Sequence, residues 1–379
     1  MRRRAFVRGL AVTGAGLALP VPLASAASAA SAAGAVTGRP VSAAAAAWQQ
    51  VAAPDGQPAA HLVAVAAAGP ERAWAVGEQG RSGSTIGTPL AVSWDGSAWS
   101  RTDVSHLSYS GGLRAVAAAE GGAAWAIGTN TAGHDQLLRW DGTTWREAAF
   151  PGRGEAGTRL TGIASGPGGR FWVSGRHGDR AGLMYGDSKA WRWCRPLPDE
   201  AAPTPSGVRV TPGGEVWVYG DVIARWDGAW TVVPRTLGIR ASVTGLLPVA
   251  HDDIWLTGFA YGVGGPPGKP PGVTLQHWDG TAWANVQPPF TVGLLSGITG
   301  DAVGRPDRIS GWDFWDQKRA HYLRWDGTAW VSERGPETPS AYLPEAIAPI
   351  PGTDGGLWSV GTTSFSPYPP AQLRVERFA

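Results

Sequence analysis

The sequence predicts an all-β chain folded as a seven-bladed β-propeller with four-stranded antiparallel blades. Three observations carry that prediction: a Trp-led tetrapeptide ending in Gly recurs at blade length, a W-D-G-x-x-W hairpin follows most copies, and the final repeat runs out one strand short. The 379 residues hold 21 Trp against 7 Tyr, 8 Phe and 2 Met, with 55 Gly and 31 Pro. That balance suits many short strands joined by many turns rather than long helices.

The tetrapeptide stands at Trp74 (WAVG), Trp125 (WAIG), Trp172 (WVSG), Trp217 (WVYG), Trp255 (WLTG) and Trp358 (WSVG), and Ile309-Ser310-Gly311 fills the remaining slot. These seven positions lie 38 to 54 residues apart. Most follow a turn such as Gly168-Gly169 or Gly213-Gly214, itself preceded by a short apolar run such as Leu62-Val63-Ala64-Val65. The hairpin motif occupies Trp94 to Trp99, Trp140 to Trp145, Trp278 to Trp283 and Trp325 to Trp330. A shorter copy lies at Trp226 to Trp230 and an eroded one at Tyr185-Gly186-Asp187 with Trp191. Asp-Gly favours a tight turn because both residues tolerate positive φ. A four-residue loop sets the two Trp opposite each other and a two-residue loop sets them diagonally; either register gives a cross-strand aromatic pair. Four strands in a period of this length make one propeller blade.

Closure follows from the two ends. Leu373 to Phe378 fills a third-strand slot with no Trp-led strand after it, while Trp48-Gln49-Gln50-Val51 matches the missing fourth strand. The N- and C-terminal strands are therefore expected to share the last blade and remove its open edge.

The alternation of WAVG and WDGxxW over residues 48–379 resembles exported bacterial β-propeller proteins grouped loosely with kelch and galactose-oxidase-like repeats. It lacks the spacing of the sialidase Asp-box, the kelch double glycine and the frame of WD repeats. Functional residues of those groups therefore have no counterpart positions here.

The first 32 residues read as an export signal. Arg3-Arg4-Ala5-Phe6-Val7-Arg8 resembles a twin-arginine motif, the run from Gly9 to Leu23 is apolar but short and broken by Gly and Pro, and small-x-small sites end at Ala26, Ala29 or Ala32. Residues 33–47, rich in Ala, read as a disordered linker. The expectation is a secreted, monomeric protein with no stable membrane span once the signal is cleaved. Cys194 is the single cysteine, so no intramolecular disulfide forms, in keeping with folding before export. Setting aside Arg2, Arg3, Arg4 and Arg8 leaves 28 basic residues against 30 acidic ones, a balance of −2. With no dense basic run, a nucleic-acid partner is not expected.

The WDG turns share one face of a propeller, and their Asp residues are explained as turn formers. The second-to-third-strand connections emerge opposite and are irregular, which is where binding groups are expected. The richest is the run Trp312, Asp313, Phe314, Trp315, Asp316, Gln317, Lys318 and Arg319: aromatics beside carboxylates and cations. An aromatic platform next to carboxylates suits a sugar, whose C–H face packs on the ring while its hydroxyls bond the acids; the competing reading places Trp312 and Trp315 in the blade core. Tyr261, His177, Asp179 and Arg180 are further candidates on the same rim. The seven His are scattered without ligand spacing, so no metal is expected; no motif implies a cofactor. The favoured function is non-enzymatic: a secreted binding or scaffold propeller recognising a glycan or a protein partner. The alternatives are a glycan hydrolase or lyase using acids near the channel mouth, and a structural cell-envelope protein.

Overall fold

The computed structural model describes residues 46–82, 84–199, 202–235, 241–262, 270–363 and 371–379. The expected signal and nearly all of the linker lie outside the described residues. Seven four-stranded antiparallel sheets form a propeller: blade 1 spans residues 61–101, blade 2 115–148, blade 3 159–193, blade 4 207–233, blade 5 241–285, blade 6 293–334 and blade 7 342–378 with Trp48–Val51. The closing strand pairs as expected, Trp48 facing Phe378 and Val51 facing Val375. Among the described residues no helix is long and apolar enough to cross a membrane.

The hairpin motif takes the four-residue register. Trp94 faces Trp99, Trp140 faces Trp145, Trp278 faces Trp283, and Trp325 faces Trp330. In the eroded copy Gly186 holds the first Trp place, opposite Trp191. Each turn is tied by its own Asp. Oδ1 of Asp95, Asp141, Asp279 and Asp326 accepts the N–H groups two and three residues on at 2.8 to 2.9 Å. Those bonds, led by the one from Ala98, pull the Asp95 carboxyl down to about 2. The carboxylates are thus spent on their turns, the structural role read from the sequence.

The tetrapeptide Trp wedges one blade against the next. Trp358 of blade 7 meets Trp94 and Trp99 of blade 1 edge-on at 5.0 and 5.1 Å. Trp255 of blade 5 does the same to Trp325 and Trp330 of blade 6 at 5.1 and 5.5 Å. Edge-to-face pairs of this kind contribute about 0.5–1.5 kcal/mol each beyond burial. Blade 6 departs from the pattern. By register it is Arg308, opposite Arg324, that holds the Trp place. Its guanidinium lies 4.6 Å over the Phe378 ring and 3.0 Å from Glu333, so a cation seals the joint with the closing blade.

The tetrapeptide glycine has a backbone reason. In blades 1, 3, 5, 6 and 7 the innermost strand carries a bulge, at Val63, Thr161, Thr244, Ser296 and Glu345. Beside the bulge, a Cβ on Gly77, Gly175, Gly258 or Gly361 would stand 1.8 to 2.0 Å from a carbonyl oxygen of the inner strand. Only glycine admits that approach.

Candidate functional site

Two regions of blades 6 and 7 hold polar groups that architecture alone does not require. The first is the connection after Pro306–Asp313. Trp312, still in the strand, is 8% exposed and takes the core role the sequence also allowed. Trp315, two residues past the strand end, is 78% exposed. Its N–H donates to Asp313 Oδ1 at 3.0 Å, and Phe314 braces its ring edge-on at 5.0 Å. Arg334 reaches up from the outer strand to Asp313 Oδ2 at 3.1 Å and to Asp316 Oδ2 at 3.5 Å. Arg319 pairs with Glu337 at 2.8 Å. The loop therefore presents one exposed indole on a frame held by Asp313, Phe314 and Arg334.

Tyr261 on neighbouring blade 5 is 57% exposed and packs edge-on against Phe259 at 5.3 Å. His177, Asp179 and Arg180 stand three blades away on blade 3, in a tight turn. There the His177 ring stacks on Trp193 and lies 3.1 Å from Glu155. The candidates thus fall into a blade 5–6 group and a separate blade 3 group. Among the described residues no set of three or more His, Cys, Asp and Glu is placed to hold a metal ion. Cys194 is half-buried and desolvation pushes its thiol up to about 12, which leaves it inert.

Three groups escaped the sequence reading. His321 opens the third strand of blade 6 and Ser332 lies in the fourth, with His321 Nδ1 3.3 Å from Asp313 Oδ2 and Nε2 2.8 Å from Ser332 Oγ. Burial, then the Arg334 charge, lowers the imidazole to about 4, so the ring is neutral at physiological pH. Glu345 occupies the blade 7 bulge, where Thr161, Thr244 and Ser296 stand in other blades. Those hydroxyls are satisfied: Thr161 by Ser174, Thr244 by the Leu295 carbonyl and Ser296 by Ser310. The Glu345 carboxyl has no hydrogen bond or ion pair among the described residues, and desolvation alone raises it to about 7. The residue keeps part of its area open to water, yet protein surrounds it on most sides. Further down the same inner strands lies a cavity of 370 Å³, lined by Val65, Val116, Ile163 and Ile347 among others. Arg209 of blade 4 lines it and donates to the Ile298 carbonyl of blade 6 at 2.9 Å.

No protein-family model and no curated protein matches the chain. Solved structures do match in shape. The structure of YCF48 bound to D1 peptide aligns with a TM-score of 0.57 at 13% identity, covering 88% of this chain and 96% of that one. A catalytically inactive virginiamycin B lyase from Staphylococcus aureus with quinupristin gives 0.58 at 13% identity, over 88% and 99%. A GH74 enzyme from Niastella koreensis gives 0.54 at 12% identity, over 83% of this chain and 52% of that one. What they share with this chain is the fold.

Proposed function

We propose that this chain is an exported carbohydrate-binding propeller whose platform is Trp315. The single observation that supports this reading is an indole 78% exposed on a loop whose backbone and neighbours are held by Asp313, Phe314 and Arg334. A freely exposed Trp is costly to leave in water, and a braced one loses little entropy on binding, so it suits the flat C–H face of a sugar ring. Asp316 and Arg319, in the same loop, would offer an acceptor and a donor for hydroxyls from their ion pairs with Arg334 and Glu337. Tyr261 on the adjacent blade extends the same rim. The fold is compatible with binding in general, since a related propeller holds a peptide.

The test is a glycan array probed with the mature protein and with Trp315→Ala. The substitution removes no core contact, so the melting temperature should stay within about 1 °C while affinity falls by about 30-fold or more. Binding that survives the substitution removes the platform; loss of the fold would return Trp315 to a structural role.

A further inference from the structure

Blade 6 carries a chain of side chains that shares Asp313 and Arg334 with the frame of Trp315 but includes groups that sugar binding does not require. Ser332 stands exposed on the outermost strand, Trp330–Arg334. His321 and Asp313 behind it are 1% and 6% exposed, and Phe290 stacks on the imidazole at 4.1 Å. With Nδ1–H donated to Asp313, Nε2 turns its lone pair to Ser332 Oγ, 2.8 Å away, and accepts the hydroxyl proton. Arg334 shares the Asp313 oxygen at 3.1 Å. An exposed nucleophile, a buried base and a buried carboxylate that orients the base are the parts of an acyl-transfer site.

The ladder supplies a further part. Gly335 N–H donates to the Ala320 carbonyl at 3.1 Å, and the register continues with Arg334 facing His321 and Ser332 facing Leu323. Bonded and non-bonded pairs alternate along an antiparallel ladder, so Glu333 and Val331 bond inward while the N–H of Ser332 points to the open edge of the blade. A donor on the nucleophile's own backbone, aimed outward beside its hydroxyl, is placed to meet the oxyanion of a tetrahedral intermediate.

We propose that Ser332, His321 and Asp313 form a hydrolytic site for carboxylic esters of small acyl groups. Ser332 Oγ attacks the carbonyl carbon as its proton passes to His321 Nε2. The carbon–oxygen bond to the alcohol then breaks, and the departing oxygen takes that proton. Water attacks the acyl-serine, giving its proton to Nε2, and the carboxylic acid leaves as Oγ recovers the proton. Asp313 is the positioning residue. Esters rather than amides fit because one outward donor activates the carbonyl and an alkoxide leaves more readily than an amine. The open strand edge gives a long acyl chain no enclosing wall, which favours acetyl-sized groups. The groups facing the imidazole are Asp313, Asp316 and Arg334. Burial keeps the ring unprotonated down to about 4, so turnover should persist from pH 8 to pH 5.

The experiment treats the mature protein with a fluorophosphonate probe, maps the label by peptide mass spectrometry, and follows hydrolysis of p-nitrophenyl acetate. Label on the Ser332 peptide is expected, with turnover reduced by about 100-fold or more in Ser332→Ala at an unchanged melting temperature. Ser100→Ala, at an exposed serine on the outer strand of blade 1, should keep both signals. Absence of label, label on another residue, or a Ser332→Ala protein that hydrolyses the ester as fast as the parent would each overturn the proposal.

Discussion

Replacing Glu345 with glutamine should raise stability at pH 8 by about 3 kcal/mol and leave it nearly unchanged at pH 4. The carboxyl is lifted from its ordinary 4.5 to about 7 by desolvation, with nothing charged beside it to compensate. The folded state therefore holds this proton more tightly than the unfolded chain. Its stabilising contribution is complete below pH 4.5 and is lost as the pH rises through 7, where the carboxylate must ionise in the bulge or draw water to it. Glutamine keeps the shape and never ionises. For a chain of this size the gain corresponds to a melting temperature higher by on the order of 5 °C at pH 8. Paired melts of parent and variant at pH 4, 6 and 8 check it. An equal shift at every pH would mean that the effect comes from packing and not from charge.

The largest loss should come from Trp48→Ala. The indole is 6% exposed, stacks on Tyr322 at 3.6 Å with 9° between planes, and donates from Nε1 to Glu333 at 2.9 Å. It also packs on Phe378, its partner across the closing ladder. Truncation removes these contacts and leaves a cavity, a cost of about 3–5 kcal/mol. The strand it anchors has only four residues, so its loss would bare the edge of blade 7. We expect lower denaturant midpoints and rapid proteolysis near Ala46–Val51, measured by urea unfolding and timed digestion. A loss below about 1 kcal/mol would show that the ring stays closed without the stack.

The fold was legible because its motifs answer to local causes that recur from blade to blade. Gly follows Trp by three residues where a bulge forces two backbones together, and Asp-Gly sits where a hairpin turns. Blade 6 was read less well, since Ile309-Ser310-Gly311 points to the slot while the residue that fills it is Arg308. The site was legible only in outline. The two tryptophans of the 312–319 loop differ by three positions in sequence, and only the strand end at Asp313 decides that Trp312 turns inward and Trp315 outward. His321 and Ser332 join the already singled-out Asp313 from two further strands with no fixed spacing, so no motif could announce the set. Glu345 is one polar residue in an apolar strand, and its lack of a partner is a fact about its neighbours.

Blade 7 is stitched from both ends of the propeller, and Trp358 within it also grips the hairpin of blade 1. During synthesis Trp48–Val51 leaves the ribosome long before Gln372–Phe378 exists to receive it. The strand made first is placed last, and the ring gains its full cooperativity only once Gln372–Phe378 has been made.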